Sequence, residues 1–361
     1  MSRFAVGFCV LWTAVTAAAD VAWLTEVQTP PATVPETPLS PLLPGPITRD
    51  TWLAERPKLI AAWRAFLGPM PDRPADTRWT VLRTDELPDV TRELIEYEGE
   101  PGLKVQAYLL RPKGPMANRS RAGLVALHPT TNDSIEPIAG VKGEARQHTG
   151  LKLAQRGFVV LCPRCFLWQD ATSLNDAVAR HRARHPQTLG MAKMLYDAQR
   201  AVDILAAQPD VDPNRIGAYG HSLGAKEALY LAAFDDRIRA AVASEGGVGF
   251  PSTNWDAAWY LGPAIKEPGF ARNHHELMAL IAPRPFLVLG GESGPGAADG
   301  DRSWPYLAAA LPIYRTFGEP PRVGLLNHHR GHLLDDEMLG KLAEWMTVYL
   351  DAGSGKGKTG F

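Results

Sequence analysis

The apolar positions of this chain fall into short continuous runs separated by longer stretches of helical periodicity. Residues 123–127, 158–161, 216–219, 238–243, 285–289 and 322–326 are short, predominantly apolar runs bounded by turn residues. Runs of that length suit strands buried on both faces of a parallel sheet. Between and after them, 149–156, 191–207, 225–234 and 335–350 carry apolar residues at helical spacing. Upstream, 79–82, 92–97 and 104–110 read as strands, the last two joined by a turn at Glu100-Pro101-Gly102. A helix over 51–67 follows Thr48-Arg49-Asp50, with Trp52, Leu53, Leu59, Ile60, Trp63 and Leu67 available for packing. Pro57 marks a kink or split in it, and Gly68-Pro69 stops it. The stretch 20–46, rich in proline and threonine, reads as an extended lead-in, and 169–187 as a polar loop. An early antiparallel group followed by alternating strands and helices predicts an α/β fold. Its central sheet is mostly parallel with helices on both faces, and it carries an N-terminal helical and antiparallel extension. Ligands of such sheets bind beyond the carboxyl ends of the strands. The loops after Leu127, Leu161, Tyr219, Ala243, Leu289 and Leu326 therefore face one site.

The chain ends change this picture. Arg3, the apolar run 4–15 and Ala17-Ala18-Ala19 have the order of a secretory signal with a small-residue cleavage site. The expected organisation is a signal peptide over 1–19, an N-terminal extension over 20–91, a catalytic domain over 92–350 and a flexible tail over 351–361. A secreted or periplasmic protein with no membrane attachment after cleavage follows from that reading. Composition adds little: 361 residues with a formal net charge of −1 supply no basic surface for nucleic acid. Nothing in the sequence specifies an oligomeric state. Cys162-Pro-Arg-Cys165 leaves either a local disulfide or two thiols open, and the absence of a second cysteine pair argues against zinc. The basic run from Arg180 to His185 reads as a solvated loop.

The candidate chemistry centres on Gly220-His221-Ser222-Leu223-Gly224. A strand precedes this G-x-S-x-G and a helix follows, which is the context of a nucleophile elbow. The glycines two residues either side of Ser222 let the chain pass close to the turn. A serine hydroxyl needs a base, and Asn-His-His-Arg-Gly-His after the last strand offers His328, His329 and His332. His332, following Gly331 and opening the approach to the last helix, is the preferred base. A zinc reading of this cluster lacks a supporting pattern such as H-E-x-x-H. The two oxyanion donors expected are the backbone N–H groups of Leu223 and Thr130, since Pro129 has none. For the acid, Glu245 follows its strand directly and lies beside the nucleophile strand. Asp299 and Asp301, in the loop after 285–289, are the alternatives, with Glu292 behind them. That loop has Gly294 where an aspartate would be expected, which favours Glu245.

These residues carry a resemblance. Leu127-His128-Pro129-Thr130-Thr131, the run from Leu153 to Val160, Gly220–Gly224 and Gly331-His332 are similar to the dienelactone-hydrolase-like branch of the α/β-hydrolases. Acetyl xylan esterases and glucuronoyl esterases lie near that branch, and the similarity covers about two-thirds of the chain. It implies an exported serine ester hydrolase, working through an acyl-enzyme without metal or organic cofactor, on a small-molecule or carbohydrate ester. Glucuronoyl esterases further carry a lysine four residues after the nucleophile, matched by Lys226, and many take their acid from a turn like Ser244-Glu245-Gly246. The match departs at Leu223, where those esterases place an arginine. Lys226, His128, Trp255 and Trp259 are accordingly expected to contact substrate. The rivals are a serine peptidase, for which the N-terminal segment is too short to form the usual β-domain, and an inactive carbohydrate-binding relative.

Overall fold

A computed structural model describes residues 20–114 and 117–351. The expected signal peptide and most of the tail lie outside the described residues. Nine strands form one sheet: β1 (Trp79–Glu86), β2 (Val90–Glu98), β3 (Lys104–Pro112), β4 (Arg121–Leu127), β5 (Val159–Pro163), β6 (Val211–His221), β7 (Ile238–Ser244), β8 (Phe286–Gly290) and β9 (Val323–Asn327). Their spatial order is β1-β2-β3-β5-β4-β6-β7-β8-β9. Pairing is antiparallel from β1 through β3 to β5, and parallel from β5 onward. β2 runs across the expected boundary at residue 91, so the N-terminal strands extend the catalytic sheet directly.

The helices are α1 (Arg49–Leu67), α2 (Thr149–Gln155), α3 (Leu174–Arg184), α4 (Gly190–Ala206), α5 (Leu223–Phe234), α6 (His274–Ile281), α7 (Trp304–Arg315) and α8 (Asp336–Asp351). The alternation of a strand sorts its residues between two layers. Val125 and Leu127 of β4 join the core that holds α1 and α3 to α7. Leu124 and Ala126 join the core beneath α2 and α8. Chain order reverses around β4, which has β5 on one side and β6 on the other. A crevice opens at such a switch point, beyond the carboxyl ends of the two diverging strands. Here those ends are Leu127 and His221.

Several sequence expectations change. α1 runs unbroken through Pro57: Thr48 and Thr51 form a capping box at its start, and Pro57 and Leu53 face solvent, where water can satisfy the carbonyl the proline cannot reach. The first part of the lead-in is packed rather than free. Val21, Trp23, Leu24 and Val27 are buried, and the Trp23 ring lies tilted against Trp345, 5.7 Å between centroids, and donates to Glu344 at 2.8 Å. The expected loop over 169–187 contains α3, capped by Ser173 accepting from the Asp176 N–H at 3.1 Å. Three arginines and two histidines mask its apolar stripe of Ala177 and Val178 in the sequence. The basic run is helical rather than a loop: Arg180, Arg182 and Arg184 are solvated as expected, but His181 is buried and His185 meets Glu100 at 2.6 Å. Cys162 and Cys165 are free, their side chains belonging to cores on opposite faces of the sheet.

α5 is buried on all sides yet carries Lys226 and Glu227. Burial pushes the Glu227 carboxyl up to about 8, against a hydrogen bond with the Cys165 thiol that lowers it. Such an acid is neutral in the folded chain near pH 7 and ionised in the unfolded one, so its stability is complete below its unfolded pKa and falls as pH rises to about 8. Glu227→Gln is therefore expected to gain about 3 kcal/mol over wild type at pH 7, shrinking below about 0.5 kcal/mol at pH 4.5. Urea unfolding of both proteins across that range checks this. A difference that does not change with pH would contradict it.

Candidate active site

Ser222 stands between β6 and α5 with φ 57° and ψ −116°, a conformation rare for a residue with a Cβ. Its N–H donates to the Ser244 carbonyl of the neighbouring strand at 2.8 Å, which holds the turn against the sheet. The flanking glycines are sterically required. A Cβ on Gly220 would collide with the backbone of Gly224 and Ala225, and one on Gly224 with the Leu127 carbonyl. Glu245 and Glu292, just past β7 and β8, also have positive φ, 56° and 55°. Backbone strain thus gathers at the carboxyl ends of three adjacent strands, as it does where side chains are held for function.

The N–H groups of Leu223 and Thr130 donate to no acceptor among the described residues. Both residues line, with Ser222, a cavity of about 440 Å³. Leu223 is the first residue of α5, so its N–H lies at the positive end of the helix dipole. A second cavity, of about 230 Å³, meets the first at Ser222, Thr130 and His332 and is walled by Ile138, Arg146, Leu333 and Leu334.

His332 sits on the loop after β9, behind Gly331 at φ 81°. Its Nδ1 is 3.6 Å from Glu245 Oε2, close for an ion pair and just long for a hydrogen bond. His332 Nδ1 and Glu245 Oε1 are both buried without a hydrogen-bond partner among the described residues. Glu245 is 1 % exposed, and its Oε2 accepts from the N–H groups of Ala298 at 2.6 Å and Asp299 at 3.3 Å. Gly291 leaves room for it, since a Cβ there would meet Glu245 Oε1 and the Gly331 carbonyl. His221 lies 4.8 Å from His332 ring to ring, with Nδ1 3.0 Å from Ser244 Oγ. Burial, then the two neighbouring imidazoles of His332 and His328, pulls His221 down to about 3 and keeps it neutral.

The other expected acids are engaged elsewhere. Asp299 accepts from the N–H groups of Gly247 and Val248, each at 2.8 Å, and from Ser303 Oγ at 2.6 Å. It fastens the turn after Glu245. Asp301 accepts from Asn327 Nδ2 at 2.7 Å, and Glu292 accepts from the Asp301 N–H. Of the other histidines, His328 accepts from the Arg330 N–H at 3.2 Å, and His329 is exposed.

The residues expected to contact substrate divide. Lys226 and Trp259 line the larger cavity with Thr253, Asn254 and Tyr260. Lys226 Nζ donates to the Gly246 carbonyl and, at 2.9 Å, to Thr253 Oγ1, and lies 4.5 Å above the Trp255 ring. Burial pulls its ammonium down to about 7, against Asp299, whose charge raises it. Trp255 and His128 line neither cavity. Trp255 is 1 % exposed, donates to the Gly247 carbonyl at 2.6 Å and serves as the platform under Lys226. His128 is spent on other partners, with Nδ1 2.8 Å from the Pro129 carbonyl and Nε2 accepting from the Cys165 N–H at 3.2 Å and lying 3.4 Å from Ser134 Oγ. Thr253, Asn254 and Tyr260 were not singled out in the sequence; they lie on irregular turns, where no periodicity marks a facing side chain. Among the described residues, no group of three or more His, Cys, Asp or Glu is arranged to hold a metal ion.

Comparisons with known proteins agree with this geometry at the level of fold. Residues 134–265 match the model of the dienelactone hydrolase family. YtaP, a provisionally assigned hydrolase of Bacillus subtilis (strain 168), is 36% identical over 104 residues, which is 27% of this chain and 34% of that protein. The match thus spans about a third of that relative's length. A glucuronoyl esterase from Solibacter usitatus superposes with TM-score 0.70 at 18% identity, covering 88% of this chain and 99% of the other. A family 15 carbohydrate esterase from Teredinibacter turnerae T7901, also a glucuronoyl esterase, gives 0.65 at 19% identity over 86% of this chain and 88% of its own. The elbow, the switch point and these likenesses lead to one conclusion: the chain has the α/β-hydrolase fold, and its residues 134–265 are similar to the dienelactone hydrolase family.

Proposed function

We propose that this protein is an exported serine esterase that hydrolyses carboxylic esters of hydroxylated or sugar-like compounds through an acyl-enzyme. The observation that supports this most is the pairing of a strained Ser222 with two acceptor-free N–H groups on a single cavity. His332 takes the proton of Ser222 Oγ as that oxygen bonds to the ester carbon. The carbonyl oxygen, now an oxyanion, accepts from Leu223 and Thr130. His332 returns the proton to the departing alcohol, and the same imidazole then deprotonates the water that releases the acid. Glu245 orients the imidazole and stabilises its charged form. Lys226, Thr253, Asn254 and Tyr260 offer donors and acceptors to substrate hydroxyls, and Trp259 a flat apolar face, a wall that suits a sugar-linked acyl or alcohol group. Export rests on the N-terminal segment.

Ser222→Ala is expected to lower kcat on an activated ester by roughly 10⁴-fold or more while leaving the melting curve intact. Glu245→Gln should cost about 10³–10⁴-fold, and Asp301→Asn less than about tenfold. Steady-state kinetics with circular dichroism checks all three. Near-normal turnover in Glu245→Gln, beside a large loss in the aspartate variant, would reverse the assignment of the acid.

Lys226 can be probed separately. Lys226→Met keeps the side-chain volume over Trp255 but removes the ammonium. It should raise KM for a sugar ester about tenfold or more and change KM for a small aryl acetate little, since a charge-assisted hydrogen bond is worth about 1.5–3 kcal/mol. Equal shifts on both substrates would make Lys226 a support of the Trp255 turn alone.

A further inference from the structure

The mechanism leaves His128 unused, although it is a 2 % exposed imidazole at the end of the central strand. Its bonding fixes its protonation. The Cys165 N–H can only donate, so Nε2 must present a lone pair and the proton must sit on Nδ1. Burial agrees, pulling the imidazole down to about 4. Nδ1–H therefore donates to the carbonyl of Pro129, at 2.8 Å. The edge of the Trp168 ring, 5.0 Å away, closes the seat from another side.

That carbonyl shares a peptide plane with the N–H of Thr130. The Pro129–Thr130 bond is not one of the two cis peptides of the described residues. Across a trans peptide the C=O and the N–H point in opposite directions. A bond that draws the Pro129 oxygen toward His128 thus turns the Thr130 N–H away from His128. Thr130 lines both cavities that meet at Ser222, and its N–H has no acceptor among the described residues. Gly224 sets the remaining coordinate: without a Cβ, it lets the start of α5 close onto the Leu127 carbonyl, which brings the Leu223 N–H to the same loop.

We propose that His128 is a positioning residue that aims one oxyanion donor: its Nδ1–H holds the Pro129 carbonyl so that the Thr130 N–H faces the reacting carbonyl at Ser222. This rests on the serine-esterase reading above. It also makes the loop after β5 part of the site at one remove, because the Cys165 N–H fixes the imidazole tautomer.

Two isosteric substitutions separate aim from mere support. In His128→Asn the amide nitrogen overlays Nδ1 and keeps the bond to Pro129. In His128→Gln the terminal group overlays Nε2 and keeps the partner of Cys165 but loses that bond. His128→Gln forfeits the bond to Pro129, and His128→Asn those to Cys165 and, at 3.4 Å, to Ser134 Oγ, so His128→Asn is expected to melt no higher than His128→Gln. His128→Gln should lose about 10²-fold in kcat, the scale of one missing oxyanion donor, with KM within about threefold. Its affinity for a trifluoromethyl ketone, which forms a tetrahedral oxyanion adduct, should fall by a similar factor. His128→Asn should keep turnover within about tenfold of wild type. Independently of how the variants fold, the Thr130 amide proton of the wild type should move downfield in NMR when that adduct forms. Equal losses in the two variants, unchanged turnover in His128→Gln, or an unmoved Thr130 amide would overturn the proposal. A wild type that Ser222→Ala leaves fully active would instead sink the esterase reading, and this inference with it.

Discussion

The close approach of β4, β6 and the start of α5 is the constraint on which the rest of the structure depends. Gly224 lies against the Leu127 carbonyl with no space for a Cβ, and Gly220 lies as tightly against Gly224 and Ala225. A chain turning that sharply from strand to helix leaves the residue at the corner little choice of backbone conformation, and Ser222 takes up the strain. A conformation of that kind costs of order 1–3 kcal/mol and persists only where its surroundings over-determine it. The surroundings here are the Ser222 bond to Ser244 and a helix buried on every side. In return the serine is presented at the mouth of the switch-point crevice, beside the free N–H groups of a helix start and of the β4 loop.

The strained Glu245 extends the same logic outward. Glu245 leaves β7 in a left-handed conformation that turns its carboxylate under the His332 loop, and Asp299 holds the following turn by taking three hydrogen bonds from Gly247, Val248 and Ser303. Trp255 hangs from that turn through the Gly247 carbonyl and supports Lys226 from beneath. The floor of the larger cavity and the acid of the candidate triad are thus parts of one short segment. A substitution at Asp299 would disturb both, although its carboxylate is bonded to Gly247, Val248 and Ser303.

Much of this is legible in the sequence alone. The apolar runs locate six buried strands, because a parallel strand covered on both faces has no polar alternation to confuse its reading. The elbow is legible because a strand, a glycine-flanked serine and a helix co-occur for steric reasons that leave a mark on sequence. What escapes is structure that sequence encodes only through distant partners. α3 reads as a charged loop, since its apolar stripe is two residues wide, His181 is buried beside Thr188, and His185, just past its end, pairs with Glu100. Residues 20–28 read as a tail, since Trp23 and Val27 find their partners more than 290 residues later, at Trp345 and Gly324. Trp255 and His128 stand in the expected neighbourhood but line neither cavity, being buried and bonded beside them. Aromatic and imidazole side chains near a site are as often its scaffold as its lining, and only burial and bonding tell them apart.

Every role proposed for the site requires Ser222 to be an activated nucleophile. The most direct measurement is to treat the full chain with a fluorophosphonate, digest it and locate the adduct by mass spectrometry. A single stoichiometric modification on the peptide bearing Ser222, lost when the protein is unfolded first, is what the account predicts. A folded protein that remains unlabelled, or one labelled at another serine while Ser222 stays free, would contradict it.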